Sequence, residues 1–351
     1  MLWYVQLDQL PERFNVQMHR EVMHVLETRG IEYRCVYACE PVQSGAGDFL
    51  NWPGRAKTCA LQNAAIADAF ANRQVSDGDV FFFSDVWHPG VEAVRYMAGM
   101  MGITVRIYAV QYAGAFDPND AVAKLGEWAR LQEAAWYAML DGVFVGSHWH
   151  RKTVLRGLVD MRQAQGMREK IKVTGLVWRG IEDDYHAKTF NPYSRAGGYV
   201  LWPHRVCAEK GLGAWNQLCE VLSQWDVEPV ACSGRVGQGR PAGLHPACAF
   251  ITAPKDGYYL LMKGAEMVVS TAHQETWGYT LREAEALGVP YLAPRRACYP
   301  EFVPAANLYG TDAELARRVV AHHRGERLVP VLKLENDYRG FIAMLGQMQC
   351  V

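Results

Sequence analysis

Short, almost continuously apolar runs, each followed by a stretch with helical spacing, recur along this chain and limit what it can fold into. In the first half they fall at 2–7 (LWYVQL), 31–38, 80–83 (VFFF), 103–110 (ITVRIYAV) and 142–147 (GVFVGS). Unbroken apolar character, rather than alternation, suits a strand buried on both faces, as in parallel sheets covered by helices. Helices are expected over 16–29 (ended by Gly30), 60–73, the segment up to Met101 before Gly102, and 120–140. This strand–helix–strand beat predicts an α/β fold with a doubly wound parallel sheet. The beat pauses at 180–198, a polar, turn-rich stretch with Pro192 and paired glycines. It restarts with a strand at 199–202, a helix at 212–224 and a strand at 227–233. A chain of 351 residues exceeds what one core holds. Two domains are expected, 1–185 and 190–330, with a helical segment 331–351 packing back on the first. Residues 41–57 and 233–243 read as long loops.

Composition narrows the partners less than the pattern does. The formal net charge is −1, so the overall field favours no partner class and a polyanion needs a local patch. One segment is suited to that. Between Ser147 and Arg179 there are eight Lys and Arg (Arg151, Lys152, Arg156, Arg162, Arg168, Lys170, Lys172, Arg179) against Asp160 and Glu169. A solvated helix face explains such a run, and so does contact with the phosphates of a nucleic acid. Nine cysteines without a C-x-x-C pair or a zinc-like spacing point to buried free thiols, Cys35 and Cys39 included, and to a reducing, cytoplasmic setting. The start of the chain lacks a basic stretch leading into an apolar one, so no signal peptide is expected. No apolar run approaches about 18 residues, so no membrane partner is expected either.

Chemistry is concentrated in two stretches of the second half. In 267–304 a buried strand (267–270) leads through a polar loop to a helix opening near Gly278 and stopped by Gly288, followed by a strand at 289–293. Glu275 lies in the loop and Glu283 inside the helix. A helix N-terminus delivered at a strand's carboxyl end offers unpaired N–H groups to an anion. A carboxylate beside it needs another partner, and sugar hydroxyls are suitable. The other stretch, WPHRVCAEKG, follows the strand at 199–202 and carries Arg205 and Lys210. Two fixed cations at a strand's carboxyl end suit a diphosphate.

Taken in order, these pieces resemble the retaining, E-x7-E-bearing glycosyltransferases of the GT-B fold. GYVLWPHRVCAEKG is similar to their strand and R-x4-K loop. The run from Glu275 to Glu283 is similar to their E-x7-E, and EALGVPYLAP with YPEFVP to the segment that succeeds it. The resemblance implies two facing Rossmann-like domains with a nucleotide-sugar between them, UDP-sugar favoured over GDP-sugar. Arg205 and Lys210 would stabilise the departing diphosphate, backbone amides of Trp277, Gly278, Tyr279 and Thr280 would help hold it, and His204 would join the donor site. Glu275 would contact sugar hydroxyls and Glu283 the ribose. The donor phosphate takes the acceptor's proton in such enzymes, so neither a metal nor a further cofactor is required. The first half departs from the pattern. DQLPERFN after the first strand has no glycine, and Gln111 and Tyr112 stand where a sugar-touching histidine is usual. His88 in SDVWHPG is the substitute catalytic candidate. His150, Arg151 and Lys152 of GSHWHRK, with Tyr112, are candidates for the acceptor. The chain is also similar to bacteriophage glycosyltransferases acting on hydroxymethylated pyrimidines in DNA, and in WPHR and YPE to tRNA-queuosine mannosyltransferases. Modified DNA, or alternatively tRNA or a glycan, is the acceptor this implies, in the host cytoplasm for a phage protein. A base inside a duplex would have to be flipped out or reached through the major groove.

Other chemistries fit less well. Gly211-Leu-Gly213 lacks the third glycine of a dinucleotide loop. Asp77-Gly-Asp79 precedes a strand instead of following one, so it reads as a tight turn and not a metal site. A GT-B-shaped sugar-nucleotide epimerase, and a non-catalytic nucleotide- or DNA-binding module, remain as alternatives.

Overall fold

The computed structural model describes residues 1–7, 14–37, 51–163, 165–178, 181, 198–233, 239–326 and 339–347. They fall into two compact units. The first takes the described residues of Met1–Leu10, Asn15–Trp178 and Asn336–Val351, the second those of Pro11–Phe14 and Arg179–Glu335.

In the first unit, β1 (Leu2–Val5), β2 (Tyr33–Val36), β3 (Val80–Phe83), β4 (Arg106–Gln111), β5 (Gly142–Val145) and β6 (Ile171–Val173) form one sheet. Its order is β2-β1-β3-β4-β5-β6 and every pairing is parallel. Both LWYV and VFFF are buried at every position, as their unbroken apolarity predicts. Phe81 is stacked between Trp3 and Phe70, with ring centroids at 5.7 and 5.9 Å. The intervening helices are α1 (Phe14–Thr28), α2 (Trp52–Ala71), α3 (Gly90–Met101), α4 (Glu127–Met139), α5 (His148–Asp160) and the single turn α6 (Met167–Lys170).

The second unit repeats the plan with β7 (Tyr199–Trp202), β8 (Glu228–Ser233), β9 (Ala249–Thr252), β10 (Met267–Val269), β11 (Tyr291–Pro294) and β12 (Leu308–Tyr309), in the order β12-β11-β10-β7-β8-β9. These strands too are all parallel. Its helices are α7 (Leu212–Leu222), α8 (Lys255–Lys263), α9 (Tyr279–Ala286), α10 (Tyr299–Phe302) and α11 (Asp312–His323). The chain winds outward from β7 to β9, then crosses back to β10 and winds the other way. The strand order therefore reverses between β7 and β10, the position where open α/β sheets bind ligands. The reversal in the first unit falls between β1 and β3.

One expectation needs correction. The segment expected to be loop as far as residue 57 is helical from Trp52, because the Asn51 side chain accepts from Gly54 N at 3.1 Å and Pro53 fits the first turn. Residues 41–50 of that stretch lie outside the described residues. Residues 249–263, to which the sequence reading assigns no element, form β9 and α8. The expected crossover at 180–198 and the segment 331–351 lie largely outside the described residues. Within the latter, α12 (Arg339–Gln347) sets Phe341 edge-on against Phe82 of the first unit at 5.7 Å. Cys35 is half-buried and free of a disulfide, and Cys39 lies outside the described residues. Among the described residues no helix is long and apolar enough to cross a membrane.

The loops after β3 and β4 are held by one buried carboxylate. Glu133 of α4 is fully buried and accepts from Trp87 Nε1 at 2.5 Å, Ala115 N at 2.7 Å and the Tyr137 hydroxyl at 2.9 Å. Burial outweighs these donors and pushes its pKa up to about 7. A raised carboxyl pKa adds stability that is fully present below the unfolded value near 4.5 and is lost as pH rises through about 7. Glu133→Gln keeps the shape without the titration. The Tm of the wild type minus that of the variant should therefore fall between pH 5 and pH 8.5. Parallel melting curves at the two pH values check this, and a difference that stays constant would overturn the assignment.

Candidate functional site

Arg205, Lys210, His204 and Glu275 come together in the second unit because their loops leave β7 and β10, neighbours at the strand-order reversal. The loops are stitched tightly. Thr271 Oγ1 accepts from Trp202 Nε1 at 2.9 Å and donates to Lys210 O at 2.8 Å, and His273 N donates to Glu209 O at 2.9 Å. Gly211 is left-handed (φ +75°), and a Cβ there would sit 2.0 Å from Thr271 O. Only glycine lets the two backbones meet this closely.

That closure places Lys210 Nζ 3.2 Å from Glu275 Oε2 and 3.3 Å from Gln274 O. Burial alone would push the Lys210 ammonium down, but Glu275 and Glu209 reverse this and hold its pKa above the usual lysine value. Burial likewise works to raise Glu275, and Lys210 with His204 outweighs it, so the carboxyl lies below the usual range. His204 is buried with Nε2 2.9 Å from Ser270 Oγ, which is itself 2.7 Å from the Tyr299 hydroxyl. Burial, assisted by Lys210, lowers its pKa to about 3, so the ring is neutral near pH 7. The Lys210–Glu275 pair is thus ionised beside a neutral imidazole.

The helix of this motif begins where the sequence places it. Gly278 precedes α9 in a left-handed conformation (φ +74°), and a Cβ there would lie 2.8 Å from Phe302 Cζ. Tyr279 and Thr280 open the helix half-buried. The Trp277 ring faces inward, with the Arg282 guanidinium 3.9 Å from its centroid. Glu283 lies apart from Glu275. It is buried and accepts from Lys255 Nζ at 2.5 Å, the Tyr258 hydroxyl at 2.8 Å and the Tyr259 hydroxyl at 3.3 Å. Among the described residues no group of three or more His, Cys, Asp or Glu is placed to hold a metal ion.

Residues singled out in the first unit occupy other settings. His88 is buried, its Nδ1 accepts from Gly90 N at 2.9 Å and its Nε2 lies 3.0 Å from Gln62 Oε1. Burial, with Arg55 nearby, lowers its pKa to about 3. With both nitrogens engaged, the ring joins α2 to the start of α3. His150 is buried and neutral, its pKa lowered to about 4 by burial. Arg151 donates to the Ile171 and Arg168 carbonyls, each at 2.7 Å, and so fastens α5 to β6. Tyr112 is half-buried with its hydroxyl on Met18 Sδ, and Lys152 is exposed.

Two participants escape a reading of the sequence. Glu209 receives Arg205 Nη2 at 2.5 Å and lies 4.0 Å from Lys210 Nζ; it stands inside the AEK run, whose lysine draws the attention. Lys255, the partner of Glu283, opens a helix that the sequence pattern does not announce. With Glu275 and Glu209 present, the two cations are balanced by two carboxylates.

No protein-family model matches the chain. A curated tRNA-queuosine alpha-mannosyltransferase of Drosophila melanogaster is 25% identical over 130 residues, which cover 34% of this chain and 34% of that protein. The match thus spans about a third of the curated relative's length. Among solved structures, the catalytic domain of starch synthase IV from Arabidopsis thaliana, bound to ADP and acarbose, superposes with a TM-score of 0.67 at 10% identity, covering 99% of this chain and 98% of that one. An E. coli trehalose-6-phosphate protein bound with UDP-2-fluoro glucose gives 0.59 at 12% identity, covering 99% and 95%. The two parallel six-stranded α/β sheets are those of the GT-B glycosyltransferase fold.

Releasing Arg205 tests the charge balance. Its ion pair with Glu209 is substantially exposed and is worth no more than about 1 kcal/mol. Glu209→Gln should therefore tighten the binding of an anionic probe, inorganic pyrophosphate, by a few-fold at low salt, measured by titration calorimetry. Weaker binding would show that Glu209 positions the cations and does not compete with the ligand.

Proposed function

We propose that this protein transfers a sugar from a nucleoside-diphosphate donor to a hydroxyl acceptor with retention of configuration. The observation that carries the reading is the contact of Lys210 with Glu275 beside Arg205 at the strand-order reversal. Cations there meet the negative charge that builds on the diphosphate as the glycosidic bond breaks. Glu275, kept ionised, accepts hydrogen bonds from hydroxyls of the donor sugar. The acceptor oxygen forms the new bond to the anomeric carbon on the face the diphosphate leaves. Its proton passes to the departing phosphate oxygen, so no free protein base is required. Glu283, held by Lys255, lies eight residues on from Glu275 and is assigned to the ribose. UDP is the favoured donor nucleotide; UDP and ADP ligands on the two solved relatives support the donor class and leave the base to be measured.

The acceptor we favour is a hydroxymethylated pyrimidine in DNA, on the resemblance to bacteriophage transferases. A second reading, the modified base queuosine in tRNA, has the curated Drosophila match in its favour. Incubation with a panel of nucleotide sugars and either hydroxymethylated duplex DNA, queuosine-containing tRNA or oligosaccharides separates these. Free nucleoside diphosphate with a glycosylated acceptor is the expected result. Donor conversion without an acceptor would indicate an epimerase, and donor binding without turnover a binding module.

Removing a charge that acts on the transition state in such a site costs about 3 to 4 kcal/mol, or roughly two to three powers of ten in rate. Arg205→Ala and Glu275→Ala should each lower turnover by that amount while leaving the far-ultraviolet circular dichroism unchanged. Near-normal turnover in either variant would remove that residue from the site.

A further inference from the structure

The basic segment of the first unit is reorganised by folding. Arg151, its central member in sequence, is consumed by the carbonyls of Arg168 and Ile171. That clamp sets Arg168 and Lys172, one on α6 and one on the edge strand β6, beside the first turn of α5. Lys152, Arg156, Arg162, Arg168 and Lys172 are all exposed, against the two exposed acids Asp160 and Glu169. None of the five cationic side chains has an ion pair or hydrogen bond among the described residues. In a chain of net charge −1, this is a local concentration of unpaired positive charge.

Arg162 stands at the far end of this face, and its conformation is shared by Arg73 after α2. It follows the end of α5 in a left-handed conformation (φ +59°), where glycine would be at ease. The chain holds an arginine in a position that favours a residue without a side chain.

We propose that this face, from Lys152 along α5 to Arg162 and across to Arg168 and Lys172, binds the phosphate backbone of duplex DNA. The inference deepens the nucleic-acid reading above and rests on it for the nature of the partner. From Lys152 to the end of α5 is about 12 Å of helix rise. A duplex presents roughly seven phosphates over that length. Beyond the first turn, where His148 is exposed and Trp149 half-buried, the large apolar group exposed on α5 is Val159, so from Lys152 to Arg162 the face offers charge for a backbone and no ring for stacking unpaired bases.

Fluorescence anisotropy with a short labelled duplex, over a series of salt concentrations, tests it on the full chain. Each of Arg156→Gln, Lys172→Gln and Arg162→Gly should reduce the slope of log K against log salt by about 1. Arg317→Gln, at an exposed cation of the second unit, should leave the slope unchanged. Arg162→Gly guards against misfolding as an explanation, because its Tm should equal or exceed the parent's. Unchanged slopes in all three variants, or binding of tRNA with no binding of duplex DNA at low salt, would overturn the proposal. Release of nucleoside diphosphate from the donor is measured separately. Unchanged slopes alongside normal release would remove this face alone, and lowered slopes with no release under any acceptor would remove the transferase reading instead.

Discussion

The close approach of Gly211 to Thr271 O is the contact on which the second unit's chemistry depends. Parallel strands bring loops to one edge of a sheet, but they do not bring those loops into register. Here Thr271 bridges the β7 side chain Trp202 and the Lys210 carbonyl. The loop after β7 is thereby fixed to the loop after β10 within a hydrogen bond's tolerance. Lys210 meets Glu275 because the backbones beneath them cannot separate without breaking that bridge. Any side chain at 211 would force them apart.

A site assembled this way contains its own counter-ions. Burial penalises both members of the Lys210–Glu275 pair, and each is kept charged by the other. The pair is therefore stable without a ligand, and Lys210 keeps its charge when the site is empty. Arg205 differs. It is more exposed, and its partner Glu209 is four residues away on a short 3-10 turn. The two cations thus differ in setting: Lys210 is a buried point charge, and Arg205 a more exposed guanidinium whose planar fork suits two oxygens.

Much of this was legible in the sequence, for reasons that differ by element. LWYV, VFFF and YVLW are buried on both faces, so their apolar runs report strands directly. AFIT of β9 is only partly buried at every position, and its weaker pattern hid both the strand and α8 after it. Glycines at 211 and 278 marked the turns that the site needs. Side-chain charge was harder to read than backbone shape. Arg151, Arg156 and Lys172 are equally basic on paper, yet Arg151 serves as a clamp because two carbonyls lie within 2.7 Å. His88 and His150 show the same limit: polar residues in loops and first turns read as exposed, and both rings are buried.

The two acids of the E-x7-E spacing show how far spacing alone goes. Eight positions of loop and helix separate Glu275 from Glu283 and give them opposite surroundings. Glu275 keeps one oxygen on Lys210 and the other on the Thr276 amide, at a half-buried position open to further partners. Glu283 already accepts from three donors. A carboxylate offers about four acceptor directions, so three donors leave one lone pair of this buried group unused. Lys255 and the two tyrosines then act as a frame that fixes the direction of that last lone pair. Under the proposed assignment a ribose would meet at Glu283 a carboxylate whose direction is already set, and a sugar would meet at Glu275 one that keeps room for further partners.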